Sequence, residues 1–269
     1  MKYFFETIKD KNEPLFFYGA ICMIGAMFCF VLSKYSSIQI LGISGWIKPF
    51  KFFLSVSIFV FTMVLYLQFL ENQKQVTIYS WSMIVLFSVE LFFIVLQAAR
   101  GKTSHYNLQT TLDSTISIIM GLTIILFMLH TVFIVLLFFN QKYFEVDKNM
   151  VLALKLSLSI MVLFALEGFV MVSVLKHTIG SEDGSAGLPI VNWSKNHGDL
   201  RVAHFFGMHA LQLIPLATYL LAKSKRDVII ISALYFIFVT FTLIQALQGK
   251  SITKLLNYYR LKADRFVID

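Results

Sequence analysis

Apolar residues along this chain fall into blocks close to the length of a bilayer crossing, separated by polar stretches. The blocks run roughly 14–33, 50–70, 78–99, 114–139, 150–175, 203–222 and 227–248. About 20 apolar residues in helical form traverse ~30 Å of hydrocarbon. Inside hydrocarbon a segment must satisfy its own backbone groups, which leaves helices or a closed barrel. Barrel strands alternate over short runs, whereas these runs are continuous. The pattern predicts an all-α, polytopic membrane protein with seven transmembrane helices. Pro49 stands where the second helix should begin, a position that tolerates its missing N–H. The connections near 71–77, 140–149 and 222–227 are short and polar, and those at 34–49, 100–113 and 176–202 are longer.

Composition agrees with this pattern. Of 269 residues, 58% are hydrophobic and 14% charged, with a mean hydropathy of +0.75. A soluble domain carries about a quarter charged residues. We read residues 1–269 as a single helical membrane domain ending in a basic tail from 249. The first block lacks a small-residue cleavage site, and Glu6 and Asp10 spoil a basic leader, so this span is expected to be retained. The net charge of +8 comes from Lys and Arg scattered between the blocks. It reads as membrane topology rather than as a nucleic-acid surface. Cys22 and Cys29 share a face of the first span, cannot pair within a regular helix, and are expected to pack as small apolar groups.

Alternating spans place the long loops on one side. Lys48, Arg100, His105, Asn107, Asp113, Trp193, Asp199, Arg201 and His204 then share that side, so the polar chemistry is one-sided. The short loops are basic linkers and favour a cytoplasmic N-terminus. A loop as long as 176–202 is expected to be functional or disordered.

Ionisable groups within spans cost ~2.5–3.5 kcal/mol each on insertion scales and are functional candidates by default. Most of Glu90, Gln97, Glu167, His209, Gln212, Gln245 and Gln248 fall in the half of the bilayer nearer the long loops. His130 lies near the opposite side, where a structural hydrogen bond between helices is the stronger reading. The same structural role competes with the functional one at the glutamines and at Glu167. Lys155 can snorkel to the interface.

His204 and His209 miss the i, i+4 spacing that sets two rings on one helical face. An opening of the helix near Gly207, or a third ligand from His105, would be needed to bind one ion. Two or three histidines with a carboxylate suit zinc or non-haem iron. A retinal protein needs a lysine within the seventh span, and residues 228–247 contain none. His130 lies too deep to join His105 and His204 in a haem pair.

The chain also echoes itself. Gln97–Thr103, QAARGKT, closes the third span, and Gln245–Ser251, QALQGKS, closes the seventh. At a similar offset, Lys51–Phe53 falls on His204–Phe206 at the starts of the second and sixth spans. Two three-helix units in parallel, joined by a fourth span, would produce this 3+1+3 plan, an arrangement found among small transporters.

Four segments carry a resemblance. They are WIKPFKF (Trp46–Phe52), VELFFIVLQAARGKTSHYN (Val89–Asn107), LPIVNWS (Leu188–Ser194) and GDLRVAHFFGMHALQLIPL (Gly198–Leu216). With a weaker match at QALQGK, the chain over about 45–250 resembles a bacterial family of multi-span membrane proteins of uncharacterised function. The resemblance implies a bacterial inner membrane protein with a cytoplasmic N-terminus. It implies no reaction, ligand or partner. Members carry another apolar segment where this chain has its basic tail.

These readings converge on a polar pocket under the long loops. Glu90 and Gln97 would form its floor, His209 and Gln212 one wall, and Trp193 with the 176–202 loop its cap. As a membrane enzyme or redox protein, its catalytic candidates are His105, Glu90, Arg100, Asp199 and Arg201, the two arginines holding a small anionic substrate. The cofactor-binding candidates are Gln97, Asn107, Trp193 and Gln212, and the candidate metal ligands are His204, His209 and His105. The alternatives are a small-solute or proton-coupled transporter using Glu90 and His209, and a structural subunit of a membrane complex.

Overall fold

The computed structural model describes residues 9–184 and 187–253, so most of the basic tail lies outside the described residues. The chain divides into two compact units, Met1–Lys155 and Leu156–Asp269.

In the first unit, α1 (Glu13–Tyr35) leads through a two-stranded hairpin, β1 (Gln39–Ile40) and β2 (Ile43–Ser44), into α2 (Ile47–Leu67). Helices α3 (Gln73–Ala99) and α4 (Thr111–Asn140) follow. Each start is written in the sequence. Asn12, Asn72 and Thr110 accept backbone N–H bonds as N-caps of α1, α3 and α4, meeting donors that a helix start leaves orphaned. Pro49 sits in the first turn of α2, as expected.

Between the helices the ties are polar and few. Ser57 Oγ donates to the Gly19 carbonyl at 2.8 Å, and Tyr79 and Thr131 hydroxyls meet at 2.9 Å. His130 Nδ1 lies 2.7 Å from Ser82 Oγ, a cross-helix bond that gives this histidine a structural role. Phe59, Phe87 and Phe127 pack edge-on and tilted around the middle of the unit. Apolar side chains such as Ile21, Ile24, Phe28, Phe92 and Leu122 point outward, as suits helices bathed in lipid.

The second unit starts within α5 (Lys148–Leu166), continues through α6 (Gly168–Val174), and reaches a hairpin of β3 (Thr178–Ile179) and β4 (Gly198–Asp199). Helices α7 (Leu200–Leu221) and α8 (Lys225–Leu247) complete it. The expected fifth span runs over Lys148–Val174, its hydrogen-bond ladder interrupted at Glu167 while the backbone there stays helical, φ −57° and ψ −27°. The 176–202 loop is built rather than slack. The Asp183 carboxylate accepts from the His177 and Thr178 amides at 3.1–3.2 Å and lies 2.6 Å from His177 Nδ1. Burial pushes the Asp183 carboxyl up, but these bonds outweigh it and hold the group well below the usual aspartate range. Ser251 and Thr253 hydroxyls donate to the Lys195 carbonyl at 2.6 and 2.7 Å, fastening the loop to the end of α8. At Gly198 a Cβ would run into the Ala246 carbonyl, so only glycine lets β4 lie this close to α8.

Six helices are long and apolar enough to cross a membrane: α1 to α4, the α5–α6 pair over Lys148–Val174, and α8. Helix α7 is 22 residues long, but Arg201, His204, His209 and Gln212 leave it amphipathic, and it is not among the six.

The two glycine–lysine echoes have a common local cause. Gly101 and Gly249 both take left-handed backbone, φ 67° and 71°. Lys102 N donates to Gln97 O at 2.9 Å and Lys250 N to Gln245 O at 3.1 Å, while each glycine N reaches back to the alanine before it. Both are Schellman closures, in which a left-handed residue lets the last amides turn back on the helix. Replacing either glycine by alanine should lower stability by about 1 kcal/mol through the left-handed penalty, read as an earlier thermal transition in detergent.

Candidate functional site

Each unit holds a buried glutamate beside a histidine. In the first unit Glu90 lies on the inward face of α3 and is 2% exposed. His105 reaches it from the loop between α3 and α4, with Nε2 3.2 Å from Glu90 Oε1. That oxygen has no hydrogen bond of good geometry, while Oε2 faces Thr123 Oγ1 at 3.3 Å. The Thr123 hydroxyl is closer to the Met120 carbonyl, at 2.8 Å, and its single proton cannot serve both.

The other ring nitrogen fixes the tautomer. Lys48 Nζ, from the first turn of α2, lies 3.0 Å from His105 Nδ1, and Ser104 Oγ lies 3.1 Å from it. An ammonium can only donate, so Nδ1 accepts and the neutral ring carries its proton on Nε2, toward Glu90. Lys48, His105 and Glu90 thus form a line from a partly exposed cation to a buried carboxylate. Asn107 closes the loop beneath them, donating to Thr103 O at 3.1 Å and accepting from Gln109 N at 3.2 Å.

In the second unit Glu167 occupies the break between α5 and α6. Its side chain is 3% exposed, and neither carboxylate oxygen has a hydrogen-bond partner. His204, one turn into α7, places Nδ1 3.0 Å from the Phe164 carbonyl and 3.4 Å from Glu167 Oε2. Gly207 makes this approach possible, because a Cβ there would overlap Phe164 Cβ and its ring.

The arginines are already engaged. Asp113 is fully buried and accepts from Arg100 at 2.9 Å, Lys102 at 2.7 Å, Gln97 at 3.1 Å and Thr110 at 2.8 Å. Arg100 also donates to Gln97 Oε1 at 2.6 Å. Arg201 grips Asp199 through Nε at 2.9 Å and Nη2 at 2.6 Å, and Nη2 reaches the Asn192 carbonyl. Such bidentate pairs are among the strongest polar contacts a protein makes. The anion-holding role expected of Arg100 and Arg201 is thus taken by internal carboxylates, with Asp199 serving also as the N-cap of α7.

The expected three-histidine set is not gathered within either unit. His105 belongs to the first unit, with His204 and His209 in the second. His204 faces Glu167, whereas His209 stacks on Phe205 at 4.3 Å and meets Gln212 at 3.2 Å. Among the described residues no group of three His, Cys, Asp or Glu could hold a metal ion. Trp193 packs on Phe205 and Phe206 rather than over a cofactor-sized space. The groove by Asp199, Thr242, Gln245 and Lys250 is too shallow to enclose a water molecule, far short of a small-molecule pocket.

Comparison with protein-family models, curated proteins and solved structures finds no match. The site therefore rests on its own geometry.

Sequence reasoning placed Glu90, Gln97, Arg100 and His105 together, and the structure brings them to one end of the first unit. The sequence pattern sets Lys48 and Asp113 on the long-loop side with no chemical role, and leaves Glu167 divided between a structural and a functional one. The available signals were a lysine in the first turn beside Pro49, an aspartate just inside a capped helix, and a Glu-Gly step inside an apolar run.

Proposed function

We propose that the protein is a proton-exchanging membrane carrier of the bacterial inner membrane, built from two related three-helix units with α4 as the link. The observation that carries this reading is the Glu90 carboxylate, buried with Oε1 unbonded and 3.2 Å from a histidine that is itself partly exposed. A buried carboxylate with one oxygen left without a hydrogen bond is costly in its ionised form. The neighbouring imidazole offers two remedies, a proton or a paired cation. His105 receives a proton at Nδ1 and delivers the one on Nε2, while Lys48, competing for Nδ1, opposes a lasting imidazolium.

The repeat is supported by three features. With α4 set aside as the link, each half runs helix, paired two-residue strands, helix, helix, the first helix of the second half being α5 with α6. Both final helices stop in a Gln…Gly-Lys Schellman closure. At the hairpin–helix junction, Gly45-Trp-Ile-Lys-Pro-Phe-Lys-Phe-Phe53 aligns without a gap on Gly198-Asp-Leu-Arg-Val-Ala-His-Phe-Phe206. A glycine, two basic-type positions three residues apart and a Phe-Phe pair recur at the same places. Duplicated units are a common plan for carriers, and they favour transport over the membrane-enzyme reading. With the N-terminus cytoplasmic, the His105 end of the first unit faces the opposite side.

A step in external pH should evoke a transient current from proteoliposomes on a solid support, absent from empty liposomes. Glu90→Gln should cut that current by about half or more. A wild-type protein that gives no current, or a variant that gives the full one, overturns the proposal.

A further inference from the structure

We infer that Glu167 and His204 form a second proton-binding site, so that each unit carries one. The inference rests on the proton-exchange reading above and extends it to a place where the sequence suggested metal ligation.

The carboxylate of Glu167 is buried, and both of its oxygens lack hydrogen-bond partners. Left ionised and unpaired, such a group would be among the most costly in the chain. A merely structural glutamate would spend its oxygens on donors, as Asp113 and Asp199 do. Among the described residues, His204 is the basic group within ion-pair distance of the Glu167 carboxylate, at 3.4 Å. Arg201, one turn earlier on α7, is committed to Asp199. His209 lies further along α7 against Phe205 and Gln212. On the preceding loop, His177 is paired with Asp183, and Lys176 lies 3.3 Å from Glu182.

The backbone adds the second half of the argument. The hydrogen-bond ladder is interrupted at Glu167 although its backbone stays helical, and His204 Nδ1 points at the Phe164 carbonyl one turn earlier. This contact holds the Nδ1 proton on the carbonyl, and Glu167 Oε2 lies 3.4 Å from the same nitrogen without a hydrogen bond to it. Uptake of one proton by the imidazole gives an imidazolium. Passage of its Nδ1 proton to Oε2 then leaves a neutral ring and a carboxylic acid, with no other reactant needed. His204 is 34% exposed, so the imidazole links the buried acid to its surroundings. The two pairs differ in wiring. His105 turns Nε2 to its glutamate and Nδ1 to a lysine, whereas His204 turns Nδ1 to both glutamate and carbonyl.

Infrared difference spectra of the reconstituted protein, taken across the pH range in which the pH-step current titrates, would test this. The carboxylic acid C=O region should contain two contributions. Glu90→Gln should remove one, Glu167→Gln the other, and the double variant both. His204→Gln should move the pH midpoint of the Glu167 contribution without touching that of Glu90, and this readout remains if Glu167→Gln does not fold. A Glu167→Gln spectrum identical to wild type, or a midpoint unmoved by His204→Gln, overturns the inference. Persistence of the pH-step current and its loss in Glu90→Gln would show that the carrier reading survives that failure.

Discussion

Replacing Asp113 by alanine is expected to lower the melting temperature in detergent by something on the order of 10 °C, or to prevent folding altogether. The residue is buried, and its two oxygens accept from Arg100, Lys102, Gln97 and Thr110. Removing it strands two cations beside each other and opens the first turn of α4, where a negative charge also suits the helix N-terminus. Breaking a buried cluster on one side is costly because the surviving charges stay desolvated. Asp113→Asn keeps the shape but loses the charge, so its loss should be intermediate. Cys22 and Cys29 are buried in the same unit and supply a reporter. Their labelling by a thiol-reactive dye should begin at lower temperature in Asp113→Ala than in Asp113→Asn or wild type. Unchanged labelling temperatures would show that the cluster is not a structural tie.

The second large effect is expected at Gly207. A Cβ there would occupy space held by Phe164 Cβ and its ring. Because Phe164 Cβ is fixed to the α5 backbone, no rotamer change relieves the overlap, and α7 must move. Overpacking of this kind costs about 1–3 kcal/mol. Gly207 lies one turn after His204, so the same movement pulls Nδ1 away from the Phe164 carbonyl and from Glu167. Gly207→Ala should therefore melt early and also lose the infrared contribution of Glu167. Gly121→Ala on α4 is the control, since a Cβ there meets nothing within 4 Å and helix propensity favours the change. Equal melting curves for the two variants would contradict the tight seating of α7.

How much of this was readable follows from how local each cause is. The apolar blocks marked the helices to within a few residues, because length and hydropathy are properties of one segment. The break at Glu167 escaped notice because a Glu-Gly step in an apolar run does not by itself end a helix. The hairpins before α2 and α7 escaped because two-residue strands leave no alternation to detect. The glutamine–glycine echo was visible, and its immediate cause is a shared way of ending a helix. At the site, Glu90, Gln97, Arg100 and His105 are legible together because the end of α3 and the loop directly after it carry them all. The Glu167–His204 pair joins different helices, and no spacing rule connects them. Within α7, His204 and His209 face different neighbours, as a spacing of five residues implies.

The depth of Glu90 has an electrical consequence. It stands nine residues before the end of α3, roughly 14 Å along the axis at ~1.5 Å per residue. A proton that travels from the His105 end to this carboxylate crosses part of the transmembrane voltage drop. A full crossing is worth about 2.3 kcal/mol per 100 mV, and a third to a half of that is about 1 kcal/mol. Under the proposed proton exchange, occupancy of the glutamate answers to the membrane potential as well as to acidity, and an energised membrane biases it without any change in pH.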